Sequence, residues 1–120
     1  MLDLGTGSAI LAIAAALLGA PEVLAVDNDP EVIPIAAENV ALNGVADRVE
    51  IREGDVGAVS ETGWGVVLAN IAPDPVVGAA PAVRALIAPG GVYVCAGIPV
   101  QRAAEVESGV TRAGFRVERS

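Results

Sequence analysis

Short runs of apolar residues alternate along the chain with longer segments in which apolar residues recur at helical spacing. The runs that predict β-strands are residues 2–4, 23–26, 49–52, 64–69, 92–96 and 115–118. Most of them are continuously apolar, which is typical of parallel strands that are covered on both faces. Because such strands alternate with helices, we predict an α/β fold with a doubly wound, mostly parallel sheet.

Glycine and proline set the expected limits of the first two helices. The first is predicted from about residue 8 to residue 18, where Gly19 ends it. Asp29 is expected to cap the second, with Pro30 in its first turn, and Gly44 to stop it. Pro34 then lies about one turn inside that helix, where it removes one backbone hydrogen bond.

Two further helices are expected in the second half of the chain. One begins at residues 74–75, and Pro81 should kink or restart it because an interior proline costs about 3 kcal/mol. Its buried face would consist of Val76, Ala80, Val83 and Ile87. Residues 89–91 read Pro-Gly-Gly and predict a turn before the fifth strand, and Gly114 stops a last helix.

The loop after the first strand carries an acid and two glycines at close spacing. It reads Asp3-Leu4-Gly5-Thr6-Gly7-Ser8-Ala9, and Asp27 closes the next apolar run. Gly5 and Gly7 can adopt positive φ and let a ligand approach the main chain, where the start of a helix favours an anionic group. An acid at the end of the second strand can accept hydrogen bonds from a ribose diol. We therefore predict a site for an adenosine-containing ligand.

The glycine spacing separates two classes of adenosine-binding protein. A dinucleotide fold needs a third glycine three residues after Gly7, where this chain has Ile10. With Asp3 two residues before the first glycine, the loop instead resembles the first motif of class I S-adenosylmethionine-dependent methyltransferases. Many members have glycine where this chain has Ala9. Because alanine is the smallest alternative to glycine, we expect binding to survive.

This resemblance implies specific roles for the acids of the chain. Asp3 would lie near the methionine end of the cofactor and Asp27 would accept from the ribose, beside Gly5, Thr6 and Gly7 as cofactor-binding residues. The alternatives that involve no ligand are that Asp3 only shapes the glycine loop and that Asp27 caps a helix.

The adenine pocket is expected at the end of the third strand. Asp55 would accept from the adenine amino group while the Val56 N–H donates to the ring, and the alternative for Asp55 is a turn residue after Gly54. Asn28 follows Asp27 and is grouped with the cofactor-binding residues without a defined role.

The end of the fourth strand predicts the catalytic residue. In this fold that end faces the transferring methyl group, at the switch point of the sheet. Asn70 offers a side-chain oxygen that can accept from an amine and direct its lone pair, and it also counts among the cofactor-binding residues. The alternative is that Asn70 caps a turn before the prolines at 73 and 75. Ile71 and Ala72 leave no aromatic ring here on which a flipped base could stack.

Several segments together resemble a particular family, the ribosomal protein L11 methyltransferases. They are residues 2–16, 24–30, 38–39, 42–44, 69–75, 88–91 and 96–98, and the most specific are Asn-Ile-x-x-Asp-Pro and the later Gly-Ile. The resemblance implies S-adenosyl-L-methionine as cofactor and amino groups of ribosomal protein L11 as acceptors, with Asn70 beside the acceptor amine. The family's N-terminal docking domain has no counterpart here, so we expect a domain that is incomplete at both ends, lacking the leading helices and the last strand.

Composition narrows the class of protein further. Residues 1–120 suffice for one domain. The net charge is −8 and all seven basic residues are scattered arginines, which argues against nucleic acid as the main partner and suits a cationic ligand or a basic protein. The absence of histidine excludes a histidine-based nucleophilic or metal mechanism. The single cysteine, Cys95, and the lack of a membrane span or export signal lead us to expect a cytoplasmic protein.

Three other functions stay open at this point. One is a cofactor-binding module that catalyses nothing. Another is a methyltransferase that acts on a different protein lysine or on a small molecule. A nucleotide-dependent oxidoreductase is the most distant, because of the mismatch at Ile10.

Overall fold

The structure, a computed structural model, describes residues 1–118. Its strands and α-helices are β1 (Leu2–Leu4), α1 (Ile10–Leu17), β2 (Val23–Asp27), α2 (Ile33–Leu42), β3 (Val49–Glu53), β4 (Trp64–Ala69), α3 (Pro73–Leu86), β5 (Ile87–Cys95) and α4 (Ala103–Arg112). Single 3₁₀ turns occupy Val56–Ala58 and Val100–Arg102. Within the described part of the chain, none of the helices has the length and apolar character needed to cross a bilayer.

All five strands run parallel in one sheet of order β3-β2-β1-β4-β5. The chain proceeds outward from β1 to β3 and then returns to the other side of β1 with β4. This reversal leaves a switch point beside β1, where ligands bind in open α/β sheets. The predicted doubly wound parallel sheet is confirmed, and it places the loops that follow β1, β2, β3 and β4 along one edge.

Helices cover both faces of the sheet, and β2 shows how the sequence achieves this. Leu24 and Val26 belong to the apolar cluster beneath α3 and α4, whereas Val23 and Ala25 belong to the cluster beneath α1 and α2. Successive residues of a strand point to opposite faces, so a continuously apolar strand supplies both cores. The α1 side is filled largely by fully buried alanines, namely Ala9, Ala12, Ala16, Ala25 and Ala36.

Helix α2 begins later than the sequence predicts. It starts at Ile33, after a turn over residues 30–32, so Asp29 does not cap it. The Asp29 carboxylate accepts instead from the N–H of Glu31 at 2.9 Å. Pro34 therefore falls in the first turn, where its missing N–H would have had no helical partner. The expected conflict at Pro34 does not arise.

The predictions for α3 and β5 need two corrections. Helix α3 runs through Pro81 without restarting, and Ile87 is the first residue of β5 rather than part of the helix. The Pro-Gly-Gly segment at 89–91 is not a turn but a bulge inside β5, where pairing with β4 shifts from Trp64↔Ile87 to Val66↔Val92. Gly91 allows this close pairing, because a Cβ there would lie 3.0 Å from the Trp64 carbonyl oxygen.

The predicted sixth strand at residues 115–118 does not form. Its alternating pattern suits a strand, but strand structure requires hydrogen bonds to a neighbouring strand, and in the described residues β5 pairs only with β4. The Phe115 N–H donates instead to the Val110 carbonyl at 3.2 Å. The Phe115 ring also lies 5.4 Å, between centroids, from the ring of Tyr93. These contacts hold the segment against α4 and β5.

Candidate functional site

The glycine loop after β1 has the backbone that the sequence predicts. Gly5 has a φ of 73° and Gly7 a φ of 57°, both in the left-handed region. The N–H groups of Gly5 and Thr6 both donate to the Val26 carbonyl at 2.9 Å, which ties the loop to the end of β2. The two glycines differ in their surroundings. A Cβ on Gly5 would overlap Cγ2 of Ile71, whereas the space beside Gly7 is open among the described residues.

Asp3 lies beneath this loop and is only 2% exposed. Its Oδ2 accepts from the Thr6 hydroxyl at 2.7 Å. Burial raises the pKa of Asp3 above its usual value, the Thr6 hydrogen bond opposes that rise, and the nearby charge of Asp27 adds to it. These contacts agree with the alternative in which Asp3 shapes the glycine loop. Direct contact between Asp3 and a ligand stays a prediction.

Asp27 at the end of β2 joins the loop directly. Its Oδ2 accepts from the Gly7 N–H at 2.9 Å, and its Oδ1 accepts from the Asp29 N–H at 3.0 Å. Because α2 begins only at Ile33, Asp27 is not the cap of that helix. The acid and the glycine loop, which are 20 residues apart in sequence, therefore form one unit at the carboxyl edge of the sheet.

Ala9 ends the loop in an unusual conformation. Its φ is 70°, which makes it the single non-glycine residue with positive φ in the part of the chain that the structure describes. Its side chain is fully buried in the cluster beneath α1 and α2. In the left-handed region the Cβ of an L-residue lies too close to its own backbone, and glycine has no Cβ. Glycine therefore suits this position.

The loop after β3 comes next to Asp27. The Gly54 N–H donates to the Asp27 carbonyl at 2.8 Å, which brings the two loops together. Asp55 is exposed, and its Oδ1 accepts from the Gly57 N–H at 2.8 Å as the cap of a 3₁₀ turn. This is the turn role that the sequence left open. Val56 is half-buried against the apolar cluster beneath α3 and α4. Asn28 is exposed on the loop after β2.

Asn70 follows β4 and is exposed at the same edge of the sheet. Helix α3 begins at Pro73 with Ala72 as its N-cap residue and no side-chain capping bond, so Asn70 does not cap that helix. The Ala96 N–H donates to the Ala69 carbonyl at 3.1 Å, which joins the loops after β4 and β5. The amide of Asn70 consequently lies beside Gly97, where an added Cβ would be 2.9 Å from Asn70 Oδ1.

Sequence reasoning missed three residues around this edge: Ile71, Gly97 and Arg102. Ile71 packs over Gly5 and so connects the loop after β4 with the glycine loop. Arg102 lies just before α4, and its guanidinium pairs with Asp74 at the start of α3 and with Glu105 of α4. The available signal was the clustering of Ile71, Asp74 and Gly97 in the two most specific motifs.

A parallel sheet of this order, with a glycine loop after β1 and an acid at the end of β2, defines the Rossmann-like fold of the class I methyltransferases. The family model described as ribosomal protein L11 methyltransferase matches residues 1–120. The chain belongs to the ribosomal protein L11 methyltransferase family.

Individual relatives agree with this assignment. The ribosomal protein L11 methyltransferase of Heliobacterium modesticaldum is 45% identical over 118 residues, which cover 98% of this chain and 37% of that protein. The crystal structure of the ribosomal protein L11 methylase of Lactobacillus delbrueckii subsp. bulgaricus matches with a TM-score of 0.92 and 31% identity, over 98% of this chain and 61% of that one.

A third match is an RNA methyltransferase of Salinibacter ruber in complex with S-adenosyl-L-homocysteine. Its TM-score is 0.74 at 28% identity, over 84% of this chain and 66% of that one. This chain spans a little over a third of the length of the curated relative named above.

Proposed function

We propose that this chain is the cofactor-binding and catalytic region of a ribosomal protein L11 methyltransferase, which transfers methyl groups from S-adenosyl-L-methionine to amino groups of that ribosomal protein. The observation that carries the proposal is the Gly7–Asp27 hydrogen bond of 2.9 Å, because it unites the glycine loop with the acid that would hold the ribose. Membership of the family supplies the substrate class. We place the reaction in the cytoplasm, where ribosomal proteins are synthesised.

The residues present fit an adenosyl sulfonium. Each Asp27 oxygen already accepts one N–H and keeps a further lone pair for a ribose hydroxyl. The open space beside Gly7 leaves the loop backbone accessible. The net charge of −8 favours a cationic ligand. The cofactor-binding residues would be Asp3, Gly5, Thr6, Gly7, Asp27, Asn28, Asp55, Val56 and Asn70.

The cofactor supplies an activated methyl group, so the protein has to bind, align and exclude water. Asn70 is the residue that we assign to the acceptor. Its Oδ1 would accept a hydrogen bond from the incoming amine and direct the amine lone pair. An amide is not a base, so the amine has to lose its proton to solvent beforehand, and transfer should become faster as the pH rises toward the pKa of the amine.

Calorimetry with S-adenosyl-L-homocysteine and with NAD tests the ligand class. We expect Asp27→Ala to weaken S-adenosyl-L-homocysteine binding about 10–100-fold, because a hydrogen bond to a charged group is worth about 1.5–3 kcal/mol. Asp29→Ala is the matched control, since both carboxylates accept from the backbone N–H two residues ahead, at 3.0 and 2.9 Å. Tighter binding of NAD, or equal losses in both variants, would contradict the proposal.

A second candidate is a binding module without transferase activity, favoured by the Gly7–Asp27 hydrogen bond, which concerns only the cofactor side of the site. Transfer of a labelled methyl group to ribosomal protein L11 separates the two. We expect transfer by the chain, and in Asn70→Ala a loss of transfer with cofactor affinity nearly intact, because the glycine loop and Asp27 still hold the cofactor. Intact cofactor binding without transfer supports the binding module, and transfer to other amines but not to L11 identifies a different acceptor.

A further inference from the structure

The loops after β4 and β5 run side by side at the edge of the sheet. The hydrogen bond from the Ala96 N–H to the Ala69 carbonyl, at 3.1 Å, fixes their relative position. One residue further along each loop, Asn70 faces Gly97. Gly97 has a φ of 75°, and a Cβ placed on it would lie only 2.9 Å from Asn70 Oδ1.

The opposite side of the same loop is also closely packed. Ile71 rests against Gly5 so tightly that a Cβ on that glycine would overlap its Cγ2. The segment Asn70–Ile71 is therefore held between a glycine of the first loop and a glycine that follows β5. The Asn70 side chain is exposed and can rotate away from Gly97.

We propose that Gly97 is a positioning residue: the absence of a side chain at this position keeps the Asn70 amide oxygen in the place where it meets the acceptor amine. The catalytic part of this inference rests on the proposed function of Asn70. A methyl group at residue 97 would overlap the Asn70 amide oxygen, and rotation of the Asn70 side chain is the easiest way to relieve this overlap. The amide oxygen would then leave its position while the glycine loop and Asp27 stay unchanged.

Gly97→Ala tests the proposal against Gly90→Ala as a matched control. Gly90 has nearly the same φ, 78°, but in the described part of the chain no atom other than those of its two chain neighbours lies within 4 Å of its Cβ position. Both variants place alanine at a similar positive φ, and only Gly97→Ala meets Asn70. We expect similar losses of stability in the two variants and nearly intact affinity for S-adenosyl-L-homocysteine in both, because neither variant touches the glycine loop or Asp27. Methyl transfer should fall about 10–100-fold in Gly97→Ala alone, the effect of a misplacement on the order of 1 Å.

Two further measurements separate positioning from a structural effect. In an Asn70→Ala background, Gly97→Ala should cause no further loss of transfer, because the amide oxygen that it displaces is gone. In the isotope-labelled free chain, the NMR signals of the Asn70 side-chain amide should move in Gly97→Ala and not in Gly90→Ala.

The outcomes are distinguishable from failure of the proposed function. A chain that binds no cofactor refutes that function, but the NMR comparison needs neither cofactor nor turnover and still decides the contact. Unmoved Asn70 amide signals in Gly97→Ala would overturn the inference. So would an equal loss of transfer in Gly90→Ala, or a loss of the same factor with and without Asn70.

Discussion

Replacing Ala9 by glycine sets two effects of similar size against each other. Alanine at a φ of 70° carries a left-handed backbone that costs roughly 1–2 kcal/mol in an L-residue. Glycine removes this cost, but it also removes a methyl group that is fully buried beneath α1, worth about 0.8 kcal/mol. The greater freedom of the unfolded chain with glycine costs about 0.4–1 kcal/mol more. The two losses nearly equal the gain, so we expect the free energy of unfolding to change by less than about 1 kcal/mol.

Ala12→Gly provides the comparison. Ala12 is equally buried, in the same apolar cluster, but it lies within helix α1. At that position glycine removes a buried methyl group and has a lower helix propensity than alanine, and no backbone strain is relieved. We therefore expect Ala12→Gly to lower the free energy of unfolding by about 1.5–2 kcal/mol. Urea unfolding followed by the fluorescence of the buried Trp64 measures both variants. If Ala9→Gly destabilises the chain as much as Ala12→Gly does, the backbone at Ala9 stores no strain and the reasoning is wrong.

Two further predictions concern the same loop. Burial raises the pKa of Asp3, so the folded chain binds this proton more tightly than the unfolded chain, and stability falls as the pH rises from about 3.9 through the folded pKa. Asp3→Asn keeps an acceptor for Thr6 and should be more stable than wild type at about pH 7, and the difference in the free energy of unfolding should shrink in acid. Urea unfolding at several pH values measures this difference, and a difference that does not change with pH would contradict the prediction. Gly5→Ala should destabilise the chain more than Gly7→Ala, because only the former meets Ile71. Thermal unfolding compares them, and equal losses would show that the Ile71 contact costs nothing.

Much of the fold could be predicted from apolar runs and from the positions of glycine in the sequence. The limits of β1 and β4 agree with the apolar runs, and the left-handed glycines of the first loop were predicted from their type and spacing. Asp27 was predicted to hold the same ligand as that loop, and its carboxylate accepts a hydrogen bond from the Gly7 N–H. Each of these predictions started from a short segment, namely one strand and the residues that follow it.

The errors have a common cause. The turn predicted at 89–91 is a bulge in β5, and the strand predicted at 115–118 does not form. In both segments the prediction used the local pattern alone, whereas the hydrogen bonds that decide the structure come from residues outside the segment. Strand β4 pairs with residues on both sides of the bulge, and Val110 accepts the N–H of Phe115.

By itself, then, the sequence determined the parallel α/β architecture, the glycine loop and the acids that accompany it, because these follow from apolar periodicity and from the conformations open to glycine. Only the tertiary structure decided that Gly5 packs against Ile71 and that Gly97 lies beside Asn70. Such contacts join loops that are far apart in sequence, and their distances are set by strand register and close packing, which no local pattern encodes.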